Sequence, residues 1–229
     1  MKRSTAQQTE EVFRSQRLAE RKLDYLLFRP RGRTPRSGWP LILFLHGAGE
    51  RGSNLSLVAQ HGIPKIAATN AEFPFLVISP QCAAGATWRT EDLLALLNHV
   101  TRQEKIDRRR IYATGLSMGG YAVWSLAVAY PRRFAAVAPI CGGGDAKQVI
   151  HKPGSRRRAL RTLPIWAFHG AHDDLVSPKE SEEMVEAFRK IGNSAKLTLY
   201  PDVGHDCWTR TYENPELYDW FLSHRRIVR

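Results

Sequence analysis

Cysteine is scarce in this chain of 229 residues: Cys82, Cys141 and Cys207 stand far apart, and no two form a CxxC pair. That spacing excludes a disulfide framework and argues against a structural zinc site, leaving three isolated thiols. Long apolar runs are missing as well, since no stretch approaches the roughly 20 apolar residues of a membrane span. The basic opening "MKRSTAQQTEEVFRSQRLAERK" lacks the apolar segment that follows the charges of a signal peptide. A cytoplasmic protein without membrane contact is the expectation. Acidic residues are outnumbered, 22 against 34 Lys and Arg, for a formal charge of +12. The excess gathers between Arg14 and Arg36 and in the loop "HKPGSRRRALR" from His151 to Arg161. Such a surface binds polyanions by releasing counterions. No basic recognition helix, aromatic-glycine RNA motif or zinc finger accompanies it, so no specific nucleic-acid partner is expected.

What is present is ordinary globular material, 43% hydrophobic and 24% charged, enough for one core. "LDYLLF" (residues 23–28) reads as a strand stopped by Pro30. "LILFLH" (41–46), bounded by Pro40 and Gly47, and "FPFLVISP" are continuous apolar runs too short for helices. That is the pattern of strands buried on both faces. "RIYATG", "FAAVAPIC", "LPIWAFHG" and "KLTLYP" continue the series. Between them lie helical patterns. "TEDLLALLNHV" has Thr90 placed as a cap and Leu93, Leu97 and Val100 on one face. "YAVWSLAVAY" is apolar all round, and "SPKESEEMVEAFRKIG" is framed by Ser177, Pro178 and Gly192. "NPELYDWFLSHR" closes the chain. Alternation from residue 41 onward predicts an α/β fold: a doubly wound, mostly parallel sheet with flanking helices. Residues 1–12 are expected to form a disordered tail and residues 13–229 a single catalytic domain.

The sharpest local signal is "GLSMGG" (115–120), a serine boxed by glycines between a strand and a helix. Gly115 and Gly119 relieve crowding in so tight a turn, which lifts the Ser117 hydroxyl above the sheet edge over a helix N-terminus. A serine needs a base, and the base an orienting carboxylate. Asp173 and Asp174 lie just past a strand in "FHGAHDDLVSP", and His205 follows the last strand in "YPDVGHDCW". In an open parallel sheet all these strand ends meet at one edge. An oxyanion would need main-chain donors. Met118 offers one, and the glycine-rich "HGAGERG" loop offers Ala48, with Gly47 second. That loop lacks the Lys-Ser/Thr of a phosphate-binding loop. A metal reading of His169, His172 and Asp173 has no second ligand cluster behind it, so neither metal nor cofactor is expected.

With "LFLHGAGERG", "GLSMGGYAVW", "FHGAHDDLVSP" and "VGHDCW" in place, the chain resembles the α/β-hydrolases. Within them it is similar to the compact branch of dienelactone hydrolases, carboxylesterases and feruloyl-esterase-like proteins. The resemblance implies Ser117 as nucleophile, Asp173 of the HG-x-x-D turn as acid, His205 as base and the N–H groups of Ala48 and Met118 as oxyanion hole. It also implies an aromatic pocket residue at Trp208. Dienelactone hydrolases proper use cysteine where this chain has Ser117, which points to esters generally. The stretch where relatives insert a cap, "CGGGDAKQVIHKPGSRRRALRTL", is too short for a helical lid. An open cleft is therefore expected, rimmed by the arginines at 156–158 and suited to bulky or aryl- or sugar-linked esters, with a small-molecule or polysaccharide-linked ester as the substrate. Two rivals remain: a prolyl-oligopeptidase-like peptidase or amidase using the same triad, and a non-catalytic binding protein on a hydrolase scaffold.

Overall fold

The computed structural model describes residues 7–14, 22–70 and 72–226. Eight strands form one sheet: β1 (Gln7–Arg14), β2 (Lys22–Arg29), β3 (Trp39–Leu45), β4 (Leu76–Pro80), β5 (Ile106–Leu116), β6 (Ala136–Ile140), β7 (Trp166–Gly170) and β8 (Lys196–Tyr200). Their order is β1-β2-β4-β3-β5-β6-β7-β8. β1 and β2 run antiparallel to their neighbours, while β4, β3, β5, β6, β7 and β8 are mutually parallel. This is the α/β-hydrolase fold. Parallel strands require crossovers, and the helices between them supply these: α1 (Gly62–Thr69), α2 (Thr90–Gln103), α3 (Met118–Ala129), α4 (Ala146–Ile150), α5 (Gly154–Thr162) and α6 (Pro178–Lys190), while α7 (Trp208–Glu213) and α8 (Pro215–Ser223) follow β8.

The apolar runs read from the sequence are strands covered on both sides. Along β3, Leu41, Leu43 and Leu45 face one core with Leu93 and Leu97 of α2, Trp124 of α3 and Phe188 of α6. Ile42 and Phe44 face a second core with Ile63 of α1, Tyr212 of α7 and Phe221 of α8. Side chains alternate across a strand, so one apolar run serves two layers.

Three expectations need correction. The tail expected over 1–12 lies partly outside the described residues, but from Gln7 onward it is strand, pairing with β2 from Gln7↔Arg29 to Arg14↔Lys22. Its mostly polar sequence hid it, as befits a sheet-edge strand. The basic segment expected as a loop folds into α5, whose one buried side chain is Leu160. Thr90 is not a cap: it is the first residue of α2, the cap position falls to Arg89, and no side chain bonds there. The Thr90 hydroxyl reaches Glu91 instead, at 3.1 Å.

Leu43 is fully buried at the centre of the sheet. Leu43→Ala should cost roughly 2–5 kcal/mol. Urea unfolding should show a lower midpoint with an unchanged slope, and a midpoint equal to that of the parent would contradict this packing.

Candidate active site

β5 ends at Leu116 and α3 begins at Met118, so the chain reverses in the single residue Ser117. Its backbone pays for that with φ 52° and ψ −117°, a region non-glycine residues rarely occupy. The flanking glycines are required by contact: a Cβ on Gly119 would lie 2.0 Å from the Leu45 carbonyl oxygen, and one on Gly115 2.6 Å from the same atom. The Ser117 N–H donates to Ile140 O at 3.0 Å and lies 3.3 Å from the Cys141 sulfur. Cys141 itself has φ 40°, so a second residue of positive φ lies against the turn.

The turn directs the Ser117 hydroxyl to the imidazole of His205, with Oγ and Nε2 at 3.0 Å. On the far side of the ring, Nδ1 lies 2.7 Å from Asp173 Oδ2. An ionised carboxylate only accepts, so Nδ1 carries the proton and Nε2 is left to accept from the hydroxyl. Asp173 is fully buried at its side chain. Burial pushes its carboxyl up, but the bond from His205 and the backbone N–H groups of Val176 and Leu175 outweigh it and hold the pKa below the ordinary value. Those N–H groups meet Oδ1 at 2.9 and 3.0 Å. The neighbouring Asp174 is exposed.

The loop after β3 lies against the turn, for a Cβ on Gly47 would be 3.6 Å from that of Ser117. Its orientation is fixed by His46, a residue the sequence did not single out. His46 is buried, and its Nε2 accepts from the Cys82 N–H at 2.9 Å. Nδ1 must then be protonated, and it donates to Gly47 O at 2.6 Å. In a trans peptide the N–H points opposite to the C=O. Holding Gly47 O against His46 therefore turns the Ala48 N–H away from the strand. Met118 opens α3, so its N–H has no partner within the helix.

Trp208 is half-buried, with its ring edge-on to His205 at 5.2 Å between centroids. His169 and His172 do not act together: His172 is exposed, while His169 is buried and bonded to Asp173 Oδ2 at 3.1 Å and to Ser181 Oγ at 2.7 Å. The arginines at 156–158 are not at this rim. They belong to α5, where Ser155 O accepts from Arg132 and Arg158 borders Ala135 and Pro164, residues that precede β6 and β7. That is the opposite edge of the sheet, because α5 runs back to the start of β7.

Residues 76–217 match the family model described as the dienelactone hydrolase family. The chain belongs to this family. The matched span includes Ser117, Asp173 and His205 and begins after the glycine-rich loop. Among family-like proteins, the chain is similar to a bifunctional acetylxylan esterase/xylanase of Neocallimastix patriciarum, 26% identical over 208 residues, 86% of this chain and 28% of that protein. It is also similar to poly(3-hydroxyalkanoate) depolymerase C of Paucimonas lemoignei, 40% identical over 132 residues, 47% of this chain and 31% of that one. The chain thus spans about a third or less of the curated relatives it matches. A solved thermostable esterase superposes with a TM-score of 0.78 at 31% identity, over 96% of this chain and 63% of that one.

Burial lowers the His46 pKa to about 4, with the bond to Gly47 O pulling the other way and Arg51 adding to the fall. Against an unfolded value near 6.5, the neutral ring's contribution is complete above pH 6.5 and lost as pH falls toward 4. The loss across that window is about 3 kcal/mol. Urea unfolding at a series of pH values should therefore show a flatter stability profile between pH 6.5 and 4 in His46→Gln than in the parent. Parallel profiles would refute this role.

Proposed function

We propose that the chain is a serine hydrolase of carboxylic esters. The observation that carries the reading is His205 standing between the Ser117 hydroxyl at 3.0 Å and the buried Asp173 carboxylate at 2.7 Å. In this reading Ser117 Oγ attacks the ester carbonyl as its proton passes to His205 Nε2. The carbonyl oxygen gathers negative charge and is held by the N–H groups of Ala48 and Met118. His205 returns the proton to the departing alcohol oxygen, leaving the acyl group on Ser117. Water then enters the same cycle: it gives a proton to His205, attacks the acyl carbon and releases the acid as Ser117 regains its hydrogen. Asp173 keeps the imidazole in the tautomer with Nδ1 protonated throughout.

The substrate class follows from what borders the site. The segment that carries a cap in larger relatives is here two short helices, α4 and α5, the second of them at the far edge. A cleft left open in this way accepts an acyl group attached to something large. The acetylxylan esterase relative is named for an ester borne on a polysaccharide, which supports sugar-linked esters as the class. Gly47 and Trp208 would line the approach to the reacting carbonyl.

Ser117→Ala should lower turnover of p-nitrophenyl acetate by roughly four to six decades. Retention of a tenth of the parental rate would end the proposal. Asp173→Asn removes the acceptor for the Nδ1 proton and should cost about four decades. Asp174→Asn should leave the rate within about twofold, as expected of an exposed neighbour outside the array. If Asp174→Asn were the crippled variant, the roles would be reversed. A peptide anilide turned over faster than the ester would favour a peptidase.

A further inference from the structure

A cluster of arginines lies at the amino-terminal edge of the sheet, away from Ser117. There the turn Pro131–Arg133, helix α5 and the segment after α8 border a cavity of about 480 Å³. Four arginines line it, Arg132, Arg158, Arg225 and Arg226, and no acidic residue does. Ala159 and Pro164 give it a part-exposed apolar side next to the buried Phe134 and Leu163.

Compensation for these charges is poor. Arg225 meets Asp107 at 3.2 Å. Among the described residues, no carboxylate stands at ion-pair distance from Arg132, Arg158, Arg226 or nearby Arg133. Backbone carbonyls hold Arg226 in place instead, Arg132 O at 2.5 Å and Arg108 O at 3.0 Å. The Nε atoms of Arg226 and Arg133 are buried and have no partner among the described residues. Burial lowers the pKa of both guanidiniums, and for Arg133 the charges of Arg226 and Arg108 lower it further. Withdrawing a cation from water is costly unless an anion joins it. Arg226 is the part-buried cation here, fixed by backbone carbonyls that supply no anion, while Arg132, Arg158 and Arg225 are exposed at the cavity's rim.

We propose that this cavity binds a small organic anion, a phosphate monoester carrying an aryl or short apolar body. Guanidinium forks match phosphate oxygens in pairs, and several of them can share one dianionic head. The apolar side receives the body, and the volume lies in the ordinary range for small-molecule sites. A nucleic-acid backbone would instead call for a basic stripe along the surface rather than a concavity with an apolar wall. The site stands apart from the proposed ester chemistry and does not depend on it.

Calorimetric titration of the full chain with phenyl phosphate tests the assignment, against inorganic phosphate and against sodium chloride at equal ionic strength. Saturable binding is expected, about fivefold or more tighter for phenyl phosphate, because only its ring covers the part-exposed Ala159 and Pro164. Arg158→Glu and Arg132→Glu alter exposed side chains, and each should weaken binding about tenfold or more. Heats no larger than those of sodium chloride, equal affinities for the two phosphates, or variants that bind like the parent would each overturn the site. Far-ultraviolet circular dichroism checks that the variants are folded. Should either glutamate variant unfold, Arg158→Gln takes its place under the same criterion.

Discussion

The whole arrangement depends on how closely the turn at Ser117 approaches the end of β3. A Cβ on Gly119 would fall 2.0 Å from Leu45 O, so helix α3 starts in direct contact with the neighbouring strand. Only with glycine there does the chain leave β5 and enter α3 through one residue. Ser117 bears the strain in its positive φ, a cost of order 1–3 kcal/mol that surrounding packing must hold. What the strain secures is position. The hydroxyl stands beyond the sheet edge, the first N–H of α3 lies beside it, and the loop after β3 is within van der Waals reach.

That same edge gathers the other groups because parallel strands end on the same side. β3 delivers the loop at Gly47, β5 the serine, β7 the carboxylate and β8 the histidine, four chain exits at one edge of the sheet with β6 between the second and third. The switch in strand order falls between β4, β3 and β5, the place in an open parallel sheet where ligands are bound. Each group is then fixed by a second partner rather than by its own backbone alone. His46 holds the loop through Gly47 O, and two backbone N–H groups together with His169 hold Asp173. Ser181 Oγ sits 2.7 Å from His169 Nδ1 and 2.8 Å from Gly142 O, tying that support to the strand next door.

The sequence displayed some of this and hid the rest for physical reasons. Strands buried on both faces carry continuous apolar runs, so β3, β4 and β6 were visible. β1 sits at an edge with mostly polar residues, and α5 is rich in arginine with one buried side chain, so neither shows an apolar stripe. Gly115, Ser117 and Gly119 are legible because local backbone sterics demand those residue types at that spacing. Asp173 and Asp174 are indistinguishable by local pattern. The HG-x-x-D resemblance separates them, and in the fold only Asp173 is turned inward to His205. The supporting roles of His46, His169 and Ser181 left no mark in the sequence, where His169 stood out only as the histidine of the HG-x-x-D turn and a candidate metal ligand. Their partners lie on other strands, and a histidine that orients a peptide reads like any histidine at a strand end.

Two opposite ways of burying charge occur in the same sheet. Asp173 is withdrawn from water at its carboxylate, yet every direction around it is answered: two backbone N–H groups on Oδ1, and the imidazoles of His205 and His169 on Oδ2. Its negative charge is therefore kept, and with it the ability to steady a neighbouring imidazolium. At the other edge Arg226 is pinned by backbone carbonyls that satisfy N–H groups without cancelling charge, and the Nε atoms of Arg226 and Arg133 are left over. A carbonyl dipole offsets part of a cation's desolvation, but an anion is needed to offset the mutual repulsion of several. The first arrangement is complete within the chain. The second is answered within the chain by Asp107 at Arg225 alone among the described residues, which is why the basic edge reads as a place for a ligand.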